Sequence, residues 1–301
     1  MVSLFRTIII AAIQLTVAST ALADDFQRYV PGKTVTFEEF TQIVGEVKGL
    51  EALGFDTKNL SGTEIDPRIV GGKVTTVEQY PWQAALLYAM VPEPQRILRC
   101  GGSVIASNWI LTAAHCVADK TEEDVVTKTT FYHALGIRTK SVQYFVHPSY
   151  DSSTYENDIA LVKLAEPVAD PTVVPLIEQS ADIPDGTNVS VTGWGAVMEG
   201  GAASEVLRVA DVPLVNLSDC NQPGSYNGRI KNTMMCAGYR DGGLDSCQGD
   251  SGGPAVATRG GKPVLVGIVS FGEGCARRLK YGVYTRVSAF SDWITQTMAA
   301  N

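Results

Sequence analysis

Residues 245–255 read DSCQGDSGGPA, with serine at 251, glycine at 249, 252 and 253, an aspartate directly ahead of the serine and a cysteine at 247. Gly249-Asp250-Ser251-Gly252-Gly253 matches G-x-S-x-G, the strained strand-to-helix turn on which α/β-hydrolases expose a nucleophile. That fold places its acid and then its histidine after the serine. This chain has three histidines, His115, His133 and His147, and all of them precede Ser251. The order excludes the α/β reading. An imidazole base for Ser251 has to come from upstream, in the chain order His…Asp…Ser.

The texture around this stretch agrees. From Ile69 onward the chain consists of short β-branched and aromatic runs divided by Gly, Pro, Asn and Asp, such as VSVTGWG (189–195) and PVLVGIVSFG (263–272). Such runs predict an all-β barrel or sandwich. Only the last stretch, SAFSDWITQTMAAN (288–301), reads as a helix, with Phe290, Trp293, Ile294 and Thr297 on one face and Ser288 or Ser291 as N-cap.

Upstream of Ile69 the organisation differs. The chain opens MVSLFR, continues through TIIIAAIQLTVAST and reaches Ala21-Leu22-Ala23. This pattern fits a signal peptide over 1–23, and the apolar run is shorter than the roughly 20 residues that span a bilayer. A soluble, secreted product is expected. Residues 24–68 form a cysteine-free acidic segment in which Thr36 and Glu39 suggest a capping box, and Phe37, Phe40, Val44 and Val47 recur at helical spacing. The net charge of −8 over 301 residues argues against a nucleic-acid partner. Six cysteines, at 100, 116, 220, 236, 247 and 275, in a chain bound for an oxidising compartment favour three disulfides over metal ligation. Spacing alone leaves their pairing open.

Among the histidines, His115 sits in TAAHC between a hydrophobic run and a cysteine, so it is expected at the rigid edge of a core. His133 and His147 lack that setting and read as packed or exposed strand-end residues. Asp158 precedes the apolar strand of NDIALVKL (157–164), a place from which a carboxylate can be partly buried and orient His115.

In order along 69–301, IVGG (69–72), LTAAHC (111–116), NDIALVKL, VTGWG (191–195), DSCQGDSGGP and GVYTRV (282–287) resemble the motifs of the trypsin-like serine proteases of the chymotrypsin family. The resemblance implies two packed antiparallel β-barrels with a C-terminal helix and the active site in the cleft between them. It implies His115 as general base and acid, Asp158 as the residue that fixes its tautomer, Ser251 as nucleophile, and the N–H groups of Gly249 and Ser251 as oxyanion hole. Gly252 and Gly253 are expected to leave room for substrate. The implied disulfides are Cys100–Cys116, Cys220–Cys236 and Cys247–Cys275.

Asp245 matches the acidic pocket floor of members that cut after Arg or Lys, Gly272 and Gly282 match the pocket walls, and Ser270 matches the peptide-binding edge. Arg68-Ile69 resembles a zymogen cleavage site, open to self-cleavage or to another protease, whose new ammonium pairs with Asp250. The resemblance thus divides the chain into signal peptide (1–23), activation segment (24–68) and protease domain (69–301). Partners would be protein or peptide substrates with Arg or Lys before the scissile bond and protein inhibitors, with a monomeric enzyme, no membrane partner and no cofactor. Two departures stand out. Phe271 replaces the usual tryptophan, and Tyr281 replaces a common proline, where tyrosine goes with sodium binding in the family. No acidic calcium loop separates His115 from Asp158. Asn59, Asn188 and Asn216 begin N-x-S sequons. A catalytically dead, protease-like binding module is the rival reading, and it usually lacks a triad member; none is missing here.

Overall fold

A computed structural model describes residues 72–89, 97–132 and 136–301. The expected signal peptide, the helix in 24–68, the Arg68-Ile69 bond and His133 lie outside these residues.

Among the described residues, twelve of thirteen strands build two closed antiparallel barrels. The first comprises β2 (Gln83–Tyr88), β3 (Leu98–Ala106), β4 (Trp109–Thr112), β5 (Glu123–Thr127), β6 (Ile137–Val146) and β7 (Ala160–Leu164), closed in the order β2-β3-β4-β7-β6-β5. The second comprises β8 (Asn188–Gly193), β9 (Arg208–Val215), β10 (Met234–Ala237), β11 (Pro254–Arg259), β12 (Lys262–Phe271) and β13 (Gly282–Arg286). It runs β9-β10-β13-β12-β11-β8 and closes through β8 against β9, while the short β1 (Lys73–Val74) adds to β9 beside β10. Closure leaves no long unpaired edge. The β11–β12 hairpin turns through Gly260 and Gly261 at φ +57° and +77°. Positive φ at both central residues is what a two-residue turn matched to strand twist requires.

The small and branched residues of these strands fill one continuous core that spans both barrels, including Leu86, Ile110, Leu111 and Leu161 from the first and Val212, Leu265, Ile268 and Tyr284 from the second. Polar contacts also bridge the barrels. Thr192 Oγ1 donates to Gln83 Oε1 at 2.6 Å, and the Gly101 N–H donates to the Ser251 carbonyl at 2.7 Å.

Short helices punctuate the loops: α1 (Ala114–Val117), α2 (Leu217–Cys220) and the C-terminal α3 (Ser291–Ala300). Asn216 caps α2, its side chain accepting the Ser218 N–H at 2.8 Å. In α3 the expected cap is corrected. Phe290 occupies the N-cap position without a side-chain bond, Ser288 lies in a preceding 3₁₀ turn, and Ser291 Oγ donates to the carbonyls of Ile177 and Val287. Phe290 and Ile294 are buried, and Phe290 and Trp293 each meet the His147 ring edge-on at 5.1 Å. His147 therefore fastens α3 to the first barrel, and burial lowers its pKa. Among the described residues no helix is long and apolar enough to cross a membrane.

Three disulfides tie β3 to α1 (Cys100–Cys116), α2 to β10 (Cys220–Cys236) and the loop before Ser251 to the loop after β12 (Cys247–Cys275).

Candidate active site

His115 is the second residue of α1, one turn beyond β4, and its neighbour Cys116 is bridged to β3. Asp158 lies just ahead of β7 and is completely buried, whereas the His115 side chain is 22% exposed. Asp158 Oδ2 accepts from His115 Nδ1 at 2.8 Å and from Ser270 Oγ at 2.5 Å, Oδ1 accepts the His115 backbone N–H at 2.9 Å, and the Asp158 carbonyl accepts Thr285 Oγ1 at 2.7 Å. With the carboxylate accepting at Nδ1, the imidazole carries its proton there and presents Nε2 as the acceptor. The Cys116 sulfur lies 3.7 Å from Nε2. A disulfide sulfur has no hydrogen to donate, so the lone pair stays available.

Ser251 lines one cavity of about 220 Å³ together with His115, Tyr155, Asp245, Ser270, Phe271, Gly272 and Gly282. Its hydroxyl makes no hydrogen bond to the imidazole. The backbone around it alternates in a telling way. The N–H groups of Asp250, Gly252 and Gly253 donate to the carbonyls of Cys247, Val269 and Asp250 at 3.0, 2.8 and 2.9 Å. Those of Gly249 and Ser251 have no acceptor within the described residues. Gly249 reaches this arrangement at φ +96°, which glycine adopts without strain.

Gly252 and Gly253 also have a packing role that the sequence did not suggest. A Cβ at Gly252 would lie 2.2 Å from Thr112 Oγ1 and 2.6 Å from the Gly101 carbonyl, and one at Gly253 would lie 2.8 Å from the Asp250 carbonyl. These glycines let the turn press against the first barrel and against itself.

Two buried carboxylates flank the turn. Asp245 Oδ2 accepts the Ala276 N–H at 3.0 Å, while Oδ1 is buried without a hydrogen-bond partner. Burial pushes the Asp245 pKa up to about 7. A Cβ at Gly282 would sit 2.7 Å from Oδ1, so glycine there keeps the space above the carboxylate open. At Gly272 a Cβ would meet only the Gly274 carbonyl, at 3.3 Å. Asp250 Oδ1 accepts the Gly195 N–H at 2.8 Å and Oδ2 the Cys247 N–H at 2.9 Å. Burial raises its pKa to about 6. Cβ atoms at Gly193 and Gly195 would lie 2.2 to 2.6 Å from the Asp250 side chain, which explains both glycines of VTGWG.

Cys100, His115 and Cys116 bring potential ligand atoms within 4.8 Å of one another, but both sulfurs are spent in a disulfide, so no thiolate remains to hold a metal.

Residues beyond the Asp–His–Ser set also shape the site. Ser270 directs its hydroxyl to Asp158 rather than to the cleft, and Thr285 holds the Asp158 backbone. Tyr155, at φ +59°, meets the His115 ring at 5.6 Å and the Phe271 ring at 5.3 Å. Its loop, DSSTYEN, has no periodicity that would single it out.

Two closed barrels with an Asp–His pair facing a serine on a glycine turn define a serine-protease architecture. The family model described as Trypsin matches residues 69–294, and the chain belongs to the trypsin family of serine proteases. It is 40% identical over 249 residues to mouse (Mus musculus) serine protease 56, covering 79% of this chain and 40% of that protein. The human (Homo sapiens) serine protease 56 is 38% identical over 250 residues, with the same coverage. Serine proteinase stubble of Drosophila melanogaster is 38% identical over 266 residues, covering 84% of this chain and 34% of that protein. The chain thus spans less than half the length of these relatives.

Proposed function

We propose that the chain is a secreted serine endopeptidase, made as a zymogen, that hydrolyses protein and peptide chains after Arg or Lys. The observation that carries this reading is the pair of unbonded N–H groups at Gly249 and Ser251 beside a histidine whose Nδ1 is held by a buried carboxylate. In the reaction, Ser251 Oγ attacks the scissile carbonyl carbon as His115 Nε2 takes its proton. The developing oxyanion meets the two free N–H groups, each of which contributes roughly 3–4 kcal/mol to the transition state. The imidazolium, stabilised by Asp158, gives its proton to the leaving amine and an acyl-enzyme remains. Water then repeats the sequence and frees Ser251.

The specificity rests on Asp245. A buried carboxylate oxygen without a partner is costly, and a guanidinium or ammonium entering the cavity supplies both the hydrogen bond and the counter-charge. Removing one partner of a buried charged pair costs roughly 2–5 kcal/mol. Asp245→Ser should therefore lower kcat/KM on an arginyl ester by ~30- to ~5000-fold while a substrate with an uncharged side chain loses little. Unchanged arginyl cleavage would remove Asp245 from the pocket floor.

The raised pKa of Asp245 gives this interaction a pH signature. A cation binds the ionised carboxylate, and in the free enzyme that form dominates only above about pH 7. Below that value binding must first expel the proton, so the affinity for benzamidine should fall by about tenfold per pH unit, with proton release on binding. Calorimetry in buffers of different ionisation enthalpy measures the release. A pH-independent affinity between pH 5 and 8 contradicts it.

Activation follows from the same logic at Asp250. Cleavage after Arg68, by this enzyme or another, frees the Ile69 ammonium, and a buried carboxylate favours such a partner. The signal peptide (1–23) and activation segment (24–68) belong to this proposal, as do a monomeric state and protein inhibitors as further partners. Enzyme cleaved after Arg68 should react with a fluorophosphonate and hydrolyse an arginyl ester. A cleaved protein inert to both is a binding module instead.

A further inference from the structure

Residues 196–203 form a tight hairpin beside the specificity cavity. Ala196 and Ala203 pair across it, the Gly201 N–H donates to the Met198 carbonyl at 2.9 Å, and Gly200 turns at φ +70°. This turn places Glu199 at the tip. Glu199 Oε2 accepts Arg277 Nε at 2.8 Å and the Cys275 N–H at 3.3 Å, and Oε1 accepts Arg277 Nη2. Gly274 accommodates the contact, since a Cβ there would lie 2.3 Å from Arg277 Nε and 2.7 Å from Glu199 Oε2.

The residue between the two that Glu199 holds is Ala276. It is a non-glycine at φ +52°, its N–H donates to Asp245 Oδ2, and its carbonyl accepts the Gly243 N–H at 3.1 Å. A non-glycine residue keeps positive φ only where its surroundings over-determine it. Cys275 is fixed on one side by its disulfide to Cys247 and by Glu199, and Arg277 on the other side by the two bonds of its guanidinium to Glu199, with the Glu273 carboxylate adding a weaker attraction.

We propose that Glu199 is a positioning residue for cation recognition: by clasping Cys275 and Arg277 it keeps the Ala276 N–H on Asp245 Oδ2 and so aims Oδ1 at the incoming Arg or Lys. It also neutralises Arg277, which would otherwise present a positive charge to a cationic substrate near the pocket wall. The inference rests on Asp245 being the pocket floor. Glu199 and Arg277 are 38% and 59% exposed, and exposed pairs add little to global stability. The effect is on aim.

The experiment compares cleaved wild type, Glu199→Gln, Arg277→Gln and the double variant for benzamidine Ki, for kcat and KM on an arginyl ester, and for the rate of fluorophosphonate acylation, which does not use the cation site. Glu199→Gln should raise Ki and KM by about tenfold, with acylation within about twofold of wild type. The double variant should be no worse than Glu199→Gln, because both changes break one contact. Unchanged benzamidine binding in Glu199→Gln overturns the proposal. So does an equal loss of acylation, which would make Glu199 a general support of the site. Wild type that fails to bind benzamidine sinks the Asp245 reading itself, and the two failures are thereby told apart.

Discussion

Ser251→Ala should lower kcat on an arginyl ester by on the order of 10⁶, the scale at which removing the nucleophile dismantles a Ser–His–Asp unit. The structure gives the reason. The histidine has its proton fixed at Nδ1 by Asp158, and its free Nε2 has work only if an adjacent hydroxyl can surrender a proton. His115→Ala should cost about as much, and the double variant no more than either single one, because the groups act as a unit. Benzamidine binding should survive in Ser251→Ala, since Asp245 and the cavity wall are untouched. Activity above about 1% of wild type in a carefully purified Ser251→Ala preparation would show that another group attacks the carbonyl.

The second large effect is expected from Asp158→Asn, about 10⁴ in kcat. The Asp158 carboxylate accepts three hydrogen bonds, from His115 Nδ1, the His115 backbone N–H and Ser270 Oγ. An amide of the same shape has only one carbonyl oxygen, and its NH₂ group turned toward the ring would force Nδ1 to accept. The proton then moves to Nε2, where it blocks uptake from Ser251. The fold should hold, because the side-chain volume is unchanged, so far-UV and near-UV dichroism should match wild type while turnover collapses. Near-normal kcat in Asp158→Asn would take this residue out of the catalytic group.

The β texture and the division into short strands were legible from the runs at 189–195 and 263–272, which became β8 and β12. So was the backward chain order of histidine and serine that ruled out an α/β sheet. The glycines at 193, 195 and 282 are motif residues whose reason appears only in three dimensions: each would drive a Cβ into a buried carboxylate. Local patterning misread the start of α3. Ser291 is drawn away from capping by the Ile177 carbonyl, a partner more than a hundred residues distant that no local pattern reveals. What crowds Gly252 and Gly253 likewise appears only in three dimensions: Thr112 and Gly101 of the first barrel for the one, the Asp250 carbonyl of the same turn for the other. Glu199 and Tyr155 lie in loops without periodicity, and their partners come from separate segments, so their contribution was invisible in the chain.

The two barrels close on separate ladders of hydrogen bonds, yet His115 and Asp158 come from the first and Ser251, Gly249 and Asp245 from the second. On the proposed mechanism, neither half owns a complete reaction centre. Turnover is therefore a reporter of docking: a shift of about 1 Å between the two barrels would cost about a hundredfold in rate long before any unfolding became visible.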